Sequence, residues 1–259
     1  RVLFRSLAEH LGDRGLHGAA HLQTTLDPML QADLEEVVRR EVHSLEAKWV
    51  SQAAVLVIDN HSGEVLAYVG STDYFDAQHQ GANDAVRAHR QPGSALKPFA
   101  YGLALSQGHT TAEVLSDVET HLATPTGDYV PKNYDRRVHG PVRLRAALAN
   151  SYNVPAVRLA ETLGPDHVLQ LLREAGFESL TQDAEHYGAG IVLGDGDVTL
   201  WELARAYRGL ARGGVVEPLK LIRVLVRHRP KADCRCNTYR HNRARTHSGT
   251  SKHTRTMTH

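Results

Sequence analysis

The chain has 259 residues, 41% of them hydrophobic, which suits one domain with a sizeable core. Its formal charge of +1 conceals a split: residues 227–259 hold nine Lys/Arg against one Asp, and the other 226 residues carry −7. No apolar stretch reaches the ~18 residues of a membrane span, and the basic tail lacks the interleaved aromatics of a nucleic-acid arm, so no nucleic-acid partner is expected.

Residues 1–20 are polar and read as a linker from an absent upstream region, the chain opening at Arg1 rather than Met as an excised piece would. Leu22–Leu26 reads as a short strand. Asp27 then caps a helix with Pro28 at its first position, and apolar residues recur with helical period through about Lys48. Residues 53–58 and 64–70 are apolar, β-branched runs joined by Asp59-Asn60-His61-Ser62-Gly63, a hairpin by length and turn chemistry. Thr72–His89 is a polar loop leading to Gln91-Pro92-Gly93-Ser94-Ala95-Leu96-Lys97-Pro98-Phe99, where a Pro-Gly turn starts a helix that runs to Gly108.

Thr120–Pro141 is rich in Pro, Gly and Asp and reads as irregular. Val142–Asn150 forms a short helix and Pro155 opens another through Leu163, with Ser151-Tyr152-Asn153 in the joint between them. Thr199-Leu200-Trp201-Glu202 is a capping box that starts a helix ended by Gly213-Gly214. Gly188-Ala189-Gly190 lacks the partners of a phosphate-binding loop and reads as structural. Asp195-Gly196-Asp197 lacks the rest of a calcium loop, and the 17 histidines scatter, so no metal and no cofactor is expected. Trp49, Phe99, Trp201 and Tyr207 read as core.

Ser94 and Lys97 are three apart and share one face of a helix. A serine hydroxyl becomes a nucleophile when a nearby base takes its proton, and a partly desolvated amine can do so near neutral pH. The helix N-terminus offers backbone N–H groups to a developing oxyanion. Ser-x-x-Lys alone is a weak signal, but Ser151-x-Asn153 follows in a loop downstream.

With these motifs in hand, the chain resembles the transpeptidase domain of class A penicillin-binding proteins. The likeness runs from about Thr24 to about Leu225 on four ordered blocks: Thr24-Thr25-Leu26-Asp27-Pro28, Asp59 through Ser71, Arg90-Gln91-Pro92-Gly93-Ser94, and Ser151-Tyr152-Asn153-Val154-Pro155-Ala156-Val157. The resemblance implies an α+β fold, an antiparallel sheet between helical layers, with its C-terminal strands missing here. It implies peptidoglycan DD-transpeptidation on the extracytoplasmic, periplasmic face of the bacterial membrane. Ser94 would attack the penultimate D-Ala carbonyl, Lys97 act as base, Ser151 relay a proton and Asn153 bind the substrate backbone. Stem peptides and β-lactams are the implied partners. The resemblance also implies an upstream glycosyltransferase domain and membrane anchor, both expected outside these 259 residues.

Two alternatives stay open on the sequence. One is a DD-carboxypeptidase or β-lactamase that hands the acyl group to water, although the Glu-x-x-x-Asn of class A β-lactamases does not occur. The other is a truncated, non-catalytic penicillin-binding module.

The family's third element, Lys-Thr-Gly on a strand, has one candidate, His247-Ser248-Gly249. Residues 227–259 carry almost no apolar side chains and cannot alternate as a packed strand does. The domain is therefore expected to span 21–226, with 227–259 a disordered or misread tail and the match at Ser248 fortuitous. Cys234 and Cys236 lie in that tail, too close for an ordinary disulfide.

Overall fold

The computed structural model describes residues 19–124 and 127–227. β1 (Ala19–Thr24) leads into α1 (Pro28–Ser44), whose N-cap is Asp27. The Asp27 carboxylate accepts from the Met29 and Leu30 N–H groups at 2.9 and 3.1 Å, and Pro28 occupies the first turn, where no donor is missed. The helix stops short of the expected Lys48, because Glu46–Lys48 tightens into a 3-10 turn. That turn leaves Trp49 left-handed, at φ +62°, and 96% exposed. The tryptophan expected in the core is on the surface.

β2 (Val55–Ile58) and β3 (Val65–Val69) form the expected hairpin, pairing Val55 with Val69 and Val57 with Ala67. Asp59 holds the turn by accepting from the Ser62 N–H and hydroxyl at 2.6 and 2.7 Å, and Gly63 closes it at φ +75°. The hairpin is not isolated. Val65 N–H donates to the Lys220 carbonyl and Lys220 N–H to the Gly63 carbonyl, each at 2.8 Å. An edge that would otherwise invite foreign strands is covered there.

A 3-10 turn (Gly93–Leu96) runs directly into α2 (Lys97–Ser106). β4 (Val114–Asp117), β5 (Leu122–Thr124), β6 (Gly127–Tyr129) and β7 (Gly140–Arg143) follow. β4 pairs with β7 and β5 with β6, so the stretch read as irregular holds short ladders. They are two short two-stranded pairs, too brief for an apolar period to show in sequence. α3 (Leu144–Ala149) and α4 (Asn153–Leu163) flank the Ser-x-Asn joint. α5 (Pro165–Glu174) and α6 (Ala184–Tyr187) are helices that the patterns above do not single out.

Gly188–Leu193 is a 3-10 turn buried in the core, Ile191 being 1% exposed, which is the structural role expected of its glycines. α7 (Leu200–Ala211) starts at the expected capping box: Thr199 Oγ1 accepts from Glu202 N–H, and the Glu202 carboxylate accepts from Thr199 N–H. β8 (Ile222–Arg227) returns antiparallel to β1, Thr24 facing Ile222.

The main core gathers Leu96, Phe99 and Tyr101 with Val157 and Leu159 of α4, Leu169 and Leu172 of α5, and Ile191. Each such side chain stabilises the fold by about 1.5–3 kcal/mol. Phe99 meets Phe177 and Tyr207 edge to face at 5.4 and 5.6 Å. Tyr207 reaches this core with its ring while staying 40% exposed. Separate clusters seat α1 on the hairpin through Val38, Val42 and Val69, and join Trp201 of α7 to Val65 and Tyr68. The helix that carries Lys97 buries Phe99, Ala100, Tyr101 and Ala104 in this core, which anchors the site.

Candidate active site

Ser94 stands in the 3-10 turn, exposed to solvent. Lys97, one turn on, opens α2 and is 1% exposed. The backbone around Ser94 is fixed from three sides. Arg90 and Val198 exchange both backbone hydrogen bonds at 2.9 Å, and Tyr207 Oη donates to the Ala95 carbonyl at 2.9 Å. Gly194, at φ +92°, lies so close that a Cβ there would sit 2.3 Å from Gly93 N. Only glycine permits that approach.

A buried ammonium must place its donors or it is strongly unfavourable. Lys97 Nζ donates to the Ser151 carbonyl at 2.6 Å, to Ser151 Oγ at 3.1 Å and to Asn153 Oδ1 at 2.7 Å. All three contacts go to the second motif. The structure therefore brings Lys97, Ser151 and Asn153 together, with Ser94 one turn away on the solvent side. Ser151 is left-handed at φ +53°, an uncommon conformation for a side-chain residue, and both of its oxygens reach the ammonium. Burial pushes the Lys97 amine down to about 8. A lysine so placed is partly neutral near pH 7–8 and can accept a proton.

Asn153 begins α4, two residues before the expected start, and its Nδ2 donates to the Lys132 carbonyl at 2.8 Å. With Oδ1 on Lys97, the amide orientation follows from its partners. Lys132, Asn133 and Asp117, which support this loop, are residues that sequence reasoning missed. They lie in or beside the stretch read as irregular, where a polar residue carries no period to mark it.

Among the described residues no group of three or more His, Cys, Asp or Glu could hold a metal ion, and no helix is long and apolar enough to cross a membrane. Residues 1–18 of the expected 1–20 linker, the tail from 228 on, Cys234, Cys236 and His247-Ser248-Gly249 lie outside the described residues. Ala19, Ala20 and Arg227, expected in linker and tail, fall in β1 and β8.

The family model for the penicillin binding protein transpeptidase domain matches residues 53–258, a range that includes His247-Ser248-Gly249. Penicillin-binding protein 1C of Escherichia coli is 37% identical over 201 residues, covering 77% of this chain and 25% of that protein. Penicillin-binding protein 1B of Vibrio cholerae is 34% identical over 226 residues, covering 84% of this chain and 28% of that protein. Among solved structures, PonA1 of Mycobacterium tuberculosis in complex with penicillin V superposes with a TM-score of 0.64 at 26% identity, over 86% of this chain and 60% of that one. This chain spans about a quarter of the length of these two curated relatives. The α+β fold is that of penicillin-binding transpeptidases, and the chain belongs to the penicillin-binding protein transpeptidase domain family.

Proposed function

We propose that this chain is a serine acyltransferase that cross-links peptidoglycan stem peptides and is acylated by β-lactams at Ser94. The observation that carries this reading is the buried Lys97 ammonium, tied to Ser151 and Asn153 one turn from an exposed serine. Neutral Lys97 takes the Ser94 Oγ proton, and Oγ attacks the penultimate D-Ala carbonyl carbon of a D-Ala-D-Ala end. Backbone N–H groups at the start of the helical run favour the developing oxyanion. The peptide C–N bond then breaks, and Ser151 relays the proton from Lys97 to the leaving D-Ala amine. An amine of a neighbouring stem attacks the acyl-enzyme and frees Ser94. Asn153 hydrogen-bonds the substrate backbone.

A β-lactam enters the same attack, but its leaving amine stays tethered, so the acyl-enzyme persists. The substrates place the reaction on the extracytoplasmic face of the bacterial membrane, where stem peptides lie. The test is incubation with a stem peptide ending in D-Ala-D-Ala together with an acceptor amine. One free D-Ala per cross-link is the expected product ratio, lost in Ser94→Ala. Free D-Ala without cross-links would make water the acceptor and overturn the transpeptidase reading.

A further inference from the structure

We infer that Asp117 and Asn133, with His139, are positioning residues that clamp the Ser151-Tyr152-Asn153 loop onto Lys97 and keep water from its amine. The inference rests on the acylation chemistry proposed above. α4 is the helix whose first residue is Asn153. Tyr152, which precedes it, supplies no side-chain cap. Asn133, twenty residues upstream, does so instead: its Oδ1 accepts from the Asn153 and Val154 N–H groups at 2.7 and 3.2 Å. A helix whose opening donors are satisfied from another segment is held in place relative to that segment.

Asn133 is itself held. It is 4% exposed, and its Nδ2 donates to both oxygens of Asp117, at 3.0 and 2.9 Å, and to the Arg137 carbonyl at 2.7 Å. These bonds leave the amide one orientation, with Oδ1 toward the helix. Asp117 is 0% exposed at the end of β4, and its carboxylate also accepts from the His139 N–H at 3.0 Å. A buried carboxylate without partners would be strongly unfavourable. Here two neutral donors and one imidazole surround it.

His139 closes the arrangement. Its Nδ1 is 2.6 Å from Asp117 and its Nε2 3.1 Å from Asp135, so the protonated ring donates a hydrogen bond to each carboxylate. Those pairings, the Asp117 bond first, push the imidazole above its ordinary value. The ring lies nearly parallel to Tyr152 at 4.1 Å, covering the middle residue of Ser-Tyr-Asn. The groups that face His139 are thus Asp117 from β4, Asp135 with Arg137 nearby from the following loop, and Tyr152.

The consequence falls on Lys97. Burial alone, with no charge contributing, lowers its proton affinity. The groups against its Nζ are Ser151 and Asn153. A loop that slips lets water reach the amine, and the lysine returns toward its solution value of ~10.4.

The experiment measures acylation of the 259-residue chain by a labelled penicillin as a function of pH, with thermal unfolding alongside. Asn133→Ala is expected to slow acylation at neutral pH by about tenfold to a hundredfold and to move the pH midpoint upward from about 8. His139→Gln, at a position 26% exposed, should move it the same way by less, and it serves if Asn133→Ala does not fold. A slower rate with an unmoved midpoint means ordinary structural damage and overturns the inference, as does an unchanged rate. If the unaltered chain is not acylated at Ser94, the function proposed above fails first. If it is acylated with a midpoint near 8 that neither variant moves, only this inference fails.

Discussion

Lys97 Nζ and Asn153 Oδ1 lie 2.7 Å apart across 56 residues of chain, and the same amide donates from its other end to the Lys132 carbonyl. The pair joins the two motifs through a neutral acceptor, which leaves the lysine free to lose its proton. Asn153→Asp would replace that acceptor with a charge. An opposite charge at this range favours the ammonium, so the lysine is expected to titrate above about 8. Acylation at neutral pH should fall about tenfold for each unit of rise. A pH profile of penicillin acylation that does not move in Asn153→Asp would contradict the role given to this contact.

Lys97 is expected to act as a base. The ammonium below about pH 8 has no lone pair and the amine above it does, so the acylation rate should climb as pH rises through that value. Lys97→Arg keeps the charge but cannot be deprotonated in a protein. Its acylation should drop by ~10²–10⁴, measured at saturating penicillin. Near-normal acylation in the Arg variant would remove proton abstraction from the mechanism.

Gly194→Ala tests the packing that supports Ser94. The new Cβ would sit 2.3 Å from Gly93 N and 2.6 Å from Gly93 Cα, at φ +92°. Both obstacles are backbone and cannot rotate away. A loss of about 2–4 kcal/mol in denaturant unfolding is expected, with slower acylation because the displaced turn carries Ser94. Gly102→Ala in α2 is the control, since nothing lies within 4 Å of its added Cβ. That change should leave stability level or raise it by up to ~1 kcal/mol. Equal effects from the two glycines would show that close approach does not fix the turn.

The motifs were legible because their signal is local. Ser94 and Lys97 announce a shared helix turn by spacing, Asp27-Pro28 a helix start, Asp59–Gly63 a hairpin, and Thr199–Glu202 a cap. Each of these depends on neighbours in sequence, and each is found in place. The supports of the site were not legible. Asn133 reaches Asn153 across twenty residues and Asp117 reaches His139 across 22, and no spacing rule links such partners before the chain folds. The strands β5–β7 escaped for a related reason: they are held by backbone pairing in a polar stretch. Trp49 shows the limit of composition, because a left-handed turn puts a residue type usually buried out into solvent.

The most direct measurement is the site of the penicillin adduct. The 259-residue chain is incubated with excess penicillin, digested, and each peptide weighed. Ring opening by Ser94 expels no atom, so the peptide containing Ser94 should gain the mass of the intact antibiotic, and Ser94→Ala should gain nothing. A chain that unfolds cooperatively yet gains no mass, or one that keeps the adduct in Ser94→Ala, would contradict the assignment of Ser94 as nucleophile.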